Sequence, residues 1–219
     1  MDKIILFDLA NTLLYRKNSL LDWDMELCVS VLKEKIVVVN TALNKFSNIY
    51  PGIYHPSIHR FENLIQEDSY TREYFFEVVK FLKKDLKFVD SLCDKRVKQV
   101  RYKLYNGVNQ LLNQLLLKGY SLGIVSNGRP SRRRVLIQLG IWDLFDPDLV
   151  YISDEIGLVK PEKQFYEFIS TKNLNREIYL CDDDIESLKV AAQIGWETFH
   201  INHTGKGFLP IKLNLLKSV

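Results

Sequence analysis

The chain has 219 residues, of which 47% are hydrophobic and 26% are charged, and its formal net charge is +3. This composition is typical of a globular protein and argues against disorder. So small a net charge gives no reason to expect a nucleic-acid partner. Three cysteines without a C-x-x-C spacing argue against a zinc finger and against a disulfide scaffold.

Membrane and secretory classes are disfavoured as well. No apolar run in the sequence approaches the roughly 18 residues of a membrane span. The first apolar run, Ile4 to Phe7, stops at Asp8 and is too short for a signal peptide. We therefore expect a cytoplasmic protein with reduced cysteines and no membrane partner.

The first half of the chain reads as one short strand followed by helices. The strand is predicted at Lys3 to Phe7, and a mostly helical stretch at about 20–105 follows it. Apolar residues recur there at three- and four-residue steps, as at Leu27 and Val31. A segment at 47–56 that contains prolines and a glycine interrupts the helical pattern.

From about Gly107 onward, predicted strands and helices alternate. Glycines such as Gly119 follow the helices as stop signals. This alternation predicts an α/β fold, Rossmann-like, with a parallel sheet that carries helices on both faces. The core domain is predicted at 1–14 and 106–219, and an inserted helical domain at 15–105. The predicted helices cover 108–118, 131–139, 162–172 and 185–194, and the later strands cover 121–125, 149–152, 178–181 and 197–201.

Acidic, hydroxyl, amide and lysine side chains follow four of the predicted strands. In a parallel sheet the carboxyl ends of the strands share one edge, where ligands bind. A carboxylate there could attack phosphorus, Mg²⁺ could be held by acidic side chains, and a lysine could add positive charge. A hydroxyl and backbone N–H groups could hold the phosphoryl oxygens. The residues concerned are Asp8, the run Ser126-Asn127-Gly128, Lys160, and the run Asp182-Asp183-Asp184 with Glu186 behind it.

These residues, in this order, resemble the motifs of the haloacid dehalogenase-like (HAD) hydrolase superfamily. The family's first motif, D-x-D-x-T after an apolar strand, is similar to Asp8-Leu9-Ala10-Asn11-Thr12, and its later motifs match Ser126, Lys160 and Asp182 with a neighbour. The resemblance implies a HAD-like core with an inserted α-helical cap. It also implies a phosphatase that uses Mg²⁺ as cofactor and acts on a small phosphorylated metabolite through an aspartyl-phosphate on Asp8. It also implies roles for particular residues. Asp8 and Lys160 would be catalytic, Ser126, Asn127 and Lys160 would bind phosphate, and Asp8, the Ala10 backbone carbonyl, Asp182 and Asp183 would hold the metal.

Ala10 departs from the pattern at the position that decides the mechanism. In the phosphatases that the chain resembles, this residue is an Asp that acts as general acid and base. Ala10 has no proton to give, so we expect impaired activity, while metal binding through its backbone carbonyl would be kept. The alanine is either an engineered change or a natural variant.

The fourth motif also departs from the pattern. Cys181 stands where the family commonly has Gly, and Glu186 and Ser187 stand where a later Asp is usual. Asp182 is the first choice as a metal ligand, and either Asp183 or Glu186 supplies the second acidic group.

Two further sets of residues are predicted to have structural or surface roles. The run Arg132-Arg133-Arg134 is predicted to form an exposed helix face. His200 and His203 have a spacing that could suit a metal, but we expect a structural or surface role for them.

Three alternatives stay open beside the phosphatase. A phosphonatase-like C–P hydrolase also has Ala at the position of Ala10, but it needs a Schiff-base lysine, for which Lys33, Lys35 and Lys45 carry no motif. A haloacid dehalogenase also lacks the second Asp and uses no metal, and the acidic run at 182–184 argues against it. The last alternative is an inactive relative that binds a phosphorylated ligand or a protein partner. The substrate and any protein partner remain unknown from the residues.

Overall fold

The computed structural model describes residues 2–16, 18–53 and 59–203. The chain divides into two compact units. The first, here called the α/β unit, comprises the described residues of Met1–Tyr15, Tyr102–Gly128 and Arg132–Val219. The second, the helical unit, comprises those of Arg16–Arg101 and Arg129–Ser131.

A five-stranded parallel sheet forms the α/β unit, which confirms the predicted fold class. Its strand order is β5–β4–β1–β6–β7, so the first strand of the chain lies at the centre. A separate antiparallel pair, β2 with β3, is also present. The strands are β1 (Lys3–Phe7), β2 (Leu14–Tyr15), β3 (Lys103–Leu104), β4 (Ser121–Ser126), β5 (Val150–Ile152), β6 (Glu177–Asp182) and β7 (Glu197–His200).

The central strand β1 is buried on both faces because helices cover both sides of the sheet. Side chains alternate along a strand, so Ile4 and Leu6 pack into one apolar cluster and Ile5 and Phe7 into another. All four side chains are fully buried. The helices of this unit are α5 (Val108–Leu117), α6 (Arg132–Gln138), α7 (Ser153–Ile156), α8 (Lys163–Lys172) and α9 (Ile185–Gln193).

The chain turns sharply after α5 because Gly119 adopts a left-handed backbone. Its φ is +82°, a conformation that costs most other residues free energy. The chain can therefore reverse and enter β4 only two residues later. The sequence predicted that a helix ends at Gly119, and α5 ends at Leu117, just before it.

The helical unit has its own apolar core. Its helices are amphipathic, and the buried residues of one helix pack against those of the others, as Leu43, Tyr74 and Leu92 do. At the start of the first of these helices, Ser19 and Asp22 form a reciprocal capping box. The helices are α1 (Leu20–Leu32), α2 (Ile36–Ile49), α3 (Leu64–Phe81) and α4 (Phe88–Lys98).

The predicted helical stretch differs from the structure at its end. Beyond Lys98 the chain leaves the helix, and β3 pairs with β2 instead of continuing as helix to residue 105. The N–H of Tyr105 also donates to the carbonyl of Leu13 at 3.1 Å. Strands of two residues are too short to show an alternating pattern, so only the pairing partner, far away in sequence, reveals them.

The predicted interruption at 47–56 is also shifted. The helix α2 continues to Ile49, and a single 3₁₀ turn follows at Pro51–Ile53. Residues 54–56 of the interruption lie outside the described residues. Within the described parts of the chain, no helix has both the length and the hydrophobicity that crossing a membrane would require.

Candidate active site

Asp8 lies at the carboxyl end of β1, in the middle of the sheet. Its N–H donates to the carbonyl of Cys181 at 2.9 Å and thereby extends the ladder between β1 and β6. Only 8% of the residue is exposed. The sheet thus fixes the backbone of Asp8, and its carboxylate lies at the strand ends, where parallel sheets bind their ligands.

Lys160 joins the carboxylates that follow the two neighbouring strands. Its Nζ donates to Asp8 Oδ1 at 2.8 Å and to Asp182 Oδ2 at 2.6 Å, and all three residues are buried. Burial raises the pKa of Asp8 and of Asp182, and the Lys160 ammonium opposes this shift. Burial alone would lower the pKa of Lys160, but the two carboxylates outweigh it and raise that pKa. Lys160 is therefore a fully charged cation between two carboxylates.

Asp183 completes a group of three carboxylates with Asp8 and Asp182. One oxygen of each residue lies within 4.8 Å of the others. Asp183 is partly exposed, and its Oδ1 accepts a hydrogen bond from the Thr12 hydroxyl at 3.1 Å. Oxygen donors at this spacing suit a small hard cation such as Mg²⁺. Three carboxylates against one ammonium leave two negative charges, which a divalent cation would balance.

Asp184 and Glu186 lie apart from this group. Asp184 caps α9: its carboxylate accepts hydrogen bonds from the N–H groups of Glu186 and Ser187, both at 3.2 Å. A hydrogen bond from the Ser187 hydroxyl lowers the pKa of Asp184. Glu186 is exposed and pairs with Lys189 at 2.7 Å. Of the two residues left open as second acidic group, Asp183 is the one that the structure brings beside Asp8 and Asp182.

The loop after β4 carries the predicted phosphate-binding residues. Ser126 ends the strand and is 1% exposed. The Asn127 side chain is engaged elsewhere: Nδ2 donates to the carbonyl of Lys160 at 2.8 Å, and Oδ1 accepts from the Lys160 N–H at 2.9 Å. The Gly128 N–H donates to the Ser153 hydroxyl at 3.0 Å. Asn127 therefore holds the backbone of Lys160, and only its main chain is left to bind phosphate.

Ala10 lies in the loop between β1 and β2, two residues after Asp8. Its backbone forms an isolated bridge with Leu14, and its side chain is a single methyl group. This methyl group can neither donate nor accept a proton. The bridge to Leu14 fixes the backbone of this loop beside Asp8.

Two histidines contact the loops of the site: His200 at the end of β7, and His203 beyond it. The sequence predicted a structural or surface role for both. His200 Nε2 lies 3.2 Å from the carbonyl oxygen of Asp183, and His203 Nε2 lies 3.0 Å from that of Thr12. A carbonyl only accepts, so Nε2 is the protonated nitrogen in both contacts. The ring of His203 stacks on Tyr105 with centroids 3.5 Å apart. A cleft of about 280 Å³ opens beside them, lined by Asn11, Tyr105, Asp183, His200, Ile201, Asn202 and His203.

The arginines of α6 do not form the exposed face that the sequence suggested. Arg132, Arg133 and Arg134 are all partly buried. Arg133 makes a forked pair with Glu155, at 2.9 and 2.7 Å, and its guanidinium lies over the ring of Trp142. The periodicity of a seven-residue helix is too short to separate an exposed arginine from one that packs along the sheet edge.

Comparison with the sequence profiles of known protein families gives a match. The sequence profile described as haloacid dehalogenase-like hydrolase matches residues 5–201. A comparison with curated proteins gives no significant sequence match.

Solved structures share the fold. A 2-haloacid dehalogenase from Pseudomonas syringae superposes with a TM-score of 0.60 at 17% identity, over 95% of this chain and 90% of that one. A HAD phosphatase from Thermococcus onnurineus gives 0.53 at 20% identity, over 93% and 87%. L-2-haloacid dehalogenase from Xanthobacter autotrophicus with covalently bound chloropropionic acid gives 0.51 at 17%, over 92% and 78%. At such identities the likeness shows the fold and does not choose between the two activities.

Proposed function

Because the chain belongs to the haloacid dehalogenase-like hydrolases, we propose that it is a magnesium-dependent phosphatase of a small phosphorylated metabolite that acts through an aspartyl-phosphate on Asp8. The observation that carries this proposal is the group of Asp8, Asp182 and Asp183 around one buried lysine. A dehalogenase that uses no metal has no evident need for three carboxylates so close together.

Mg²⁺ fits the donor set that this chain offers. Asp8, Asp182 and Asp183 would hold it through their carboxylates, and Ala10 would add its backbone carbonyl. When bound, the ion supplies positive charge that screens the substrate phosphate from the attacking carboxylate.

Each residue of the site has its own role in the two steps of the reaction. An oxygen of Asp8 forms a bond to phosphorus while the bond from phosphorus to the leaving oxygen breaks, which gives the aspartyl-phosphate. Water later cleaves this intermediate and releases phosphate. Lys160 keeps Asp8 ionised and positioned, and the Ser126 hydroxyl and the loop N–H groups bind the phosphoryl oxygens.

Ala10 leaves both steps without proton transfer. The leaving oxygen receives no proton in the first step, and water is not activated in the second. General acid–base catalysis is worth about 10²–10⁴-fold in rate. We therefore propose that turnover by this chain is slow and that the aspartyl-phosphate persists.

Restoring the missing carboxyl tests the proposal. We expect Ala10→Asp to release phosphate from p-nitrophenyl phosphate at least about 10²-fold faster than the unsubstituted chain, in the presence of Mg²⁺. The substitution should increase the rate of the first step more for an alkyl phosphate than for p-nitrophenyl phosphate. The alkoxide is the poorer leaving group and therefore depends more on protonation.

Two controls belong to this assay. Asp8→Asn in the Ala10→Asp background should abolish the activity, since the amide is not a nucleophile, and removal of Mg²⁺ by EDTA should do the same. A folded Ala10→Asp protein that gains nothing, or activity that survives Asp8→Asn, would contradict the proposal. Phosphate binding without turnover would point to an inactive relative.

A haloacid dehalogenase is the second candidate, and Ala10 is the observation that favours it. That chemistry needs no acid at position 10, and Asp8 would displace a halide from carbon instead of an oxygen from phosphorus. Chloride release from 2-chloropropionate in EDTA would establish it. No chloride release under these conditions would leave the phosphatase as the better assignment.

A further inference from the structure

We propose that Arg132 is an anion-binding residue of this site and that its guanidinium contacts an anionic oxygen of the substrate. The inference rests on the proposed function for the identity of the substrate, a phosphate ester. It does not rest on turnover, since binding of an anion can be measured in a protein that does not hydrolyse it.

The path of the Arg132 side chain directs it over the loop after β4. Arg132 is the first residue of α6, and its side chain crosses Gly128, two residues beyond Ser126. A Cβ atom placed on Gly128 would lie 2.9 Å from Nε and 3.3 Å from Cγ of Arg132. Gly128 therefore has to lack a side chain for Arg132 to take this path.

The guanidinium of Arg132 lies over an aromatic ring. The centre of the Arg132 guanidinium lies 5.1 Å from the centroid of the Tyr102 ring. Stacking of this kind uses the flat face, whereas the N–H groups point outward in the plane. The edge can thus donate to a phosphate or carboxylate without disturbing the contact with Tyr102.

At least one donor nitrogen of Arg132 is not used by the described part of the protein. Its Nη1 is buried and has no hydrogen-bond partner among the described residues. Its neighbour Arg133, by contrast, is paired with Glu155 through two hydrogen bonds. A buried donor without a partner is costly and rare in native proteins. An anionic ligand would supply the partner.

The positive charge of Arg132 acts on the carboxyl group of Asp8. Burial is the main cause that raises the pKa of Asp8, and Arg132 adds to Lys160 in opposing it. The acidic residues, Lys160 and a divalent cation together carry no net charge, so a bound phosphate needs a further cation nearby. Among the described residues of the α/β unit, Arg132 is a cation with an unused buried donor that meets this need.

The first experiment measures binding of inorganic phosphate, with Mg²⁺ present, to the full chain and its variants. We expect Arg132→Met to weaken phosphate binding about tenfold or more, because it removes a charge-assisted hydrogen bond. Arg132→Lys should restore part of the affinity, since it keeps the charge but not the fork. Arg134→Met, on the same helix, controls for the loss of one positive charge, and thermal unfolding checks that each variant is folded.

A kinetic arm identifies the anionic group. In the Ala10→Asp background, kcat/KM is compared for phenyl phosphate and 4-carboxyphenyl phosphate with and without Arg132→Met. An equal loss on both esters places Arg132 on the transferring phosphoryl group, and a loss confined to the carboxylated ester places it on a second anion of the substrate. Either result supports the proposal.

Two results would overturn the proposal. One is phosphate affinity that Arg132→Met changes no more than Arg134→Met does. The other is a folded chain that binds no phosphate at all. If binding depends on Arg132 but Ala10→Asp stays inactive, the proposed function fails and this inference stands. If Ala10→Asp is active but Arg132→Met weakens phosphate binding no more than Arg134→Met does, the inference fails alone.

Discussion

Lys160 is the residue on which the electrostatics of the site depend. It lies between two buried carboxylates, at 2.8 Å from Asp8 and 2.6 Å from Asp182. Asn127 holds its backbone through two hydrogen bonds, so the ammonium cannot easily leave this position. The Lys160 cation favours the ionised form of both carboxylates and opposes the burial that raises their pKa.

Substitution of Lys160 should therefore couple stability to magnesium. We expect Lys160→Met to lower the free energy of unfolding by about 3–5 kcal/mol without Mg²⁺, because two buried charges lose their partner. Mg²⁺ should stabilise this variant more than the unsubstituted chain, since the ion would neutralise the same carboxylates. Urea unfolding with and without MgCl₂ measures both effects.

The matched control is Lys163→Met, which removes an exposed lysine paired with Glu167 at 2.8 Å. It should change the unfolding free energy by no more than about 1 kcal/mol. Equal stabilisation of Lys160→Met and of the unsubstituted chain by Mg²⁺ would speak against a metal site at these carboxylates.

At the scale of secondary-structure elements, a buried ionic cluster joins the first and last helices of the helical unit. Asp24 of α1 is fully buried. It accepts hydrogen bonds from Arg96 Nε of α4 and from Arg101 Nη2, just beyond α4, each at 3.0 Å. The two arginines also lie against aromatic rings, Phe75 and Trp23. The cluster fixes how α1 and α4 pack on each other.

Loss of the shared carboxylate should therefore destabilise the helical unit. We expect Asp24→Ala to cost about 3–5 kcal/mol, because two largely buried guanidinium groups lose a common partner. Asp90→Ala is the control: it breaks an exposed pair with Arg72 and should cost about 0–1 kcal/mol. Urea unfolding followed by circular dichroism gives both values, and similar losses in the two variants would contradict the argument.

At the scale of the whole molecule, each of the two units has its own apolar core. The cluster that includes Cys28 involves only residues of the helical unit, and the cluster that includes Cys181 only residues of the α/β unit. Burial raises the pKa of both thiols, so neither forms a reactive thiolate in the folded chain. The two cysteines thus report on the two units separately.

We propose that the units are domains and expect them to unfold independently. In the full chain with Cys93→Ala, the Cys28 and Cys181 thiols should become reactive to alkylation at different urea concentrations. Cys93 is replaced because it is only partly buried, although burial raises its pKa to about 11. Mass spectrometry of the alkylated peptides gives each midpoint. One common midpoint for both thiols would show a single cooperative unit.

The sequence by itself determined the features that depend on near neighbours in the chain. The apolar run before Asp8 predicted a buried strand, and the strand has the predicted bounds, Lys3–Phe7. Gly119 marked the end of a helix because a left-handed turn needs a residue without a Cβ. The alternation of strands and helices predicted the parallel sheet, and with it the common edge of Asp8, Ser126 and Asp182.

Only the tertiary structure decided which side chains meet. The sequence placed Asp183 next after Asp182 as a metal ligand but left Glu186 open as the second acidic group. In the structure Glu186 pairs with Lys189, and Asp183 lies beside Asp8. The side chain of Asn127 bonds to a residue 33 positions away, and that of Lys160 to one 152 positions away. Such contacts depend on how distant segments pack, and no local pattern of residues encodes a packing partner that lies so far along the chain.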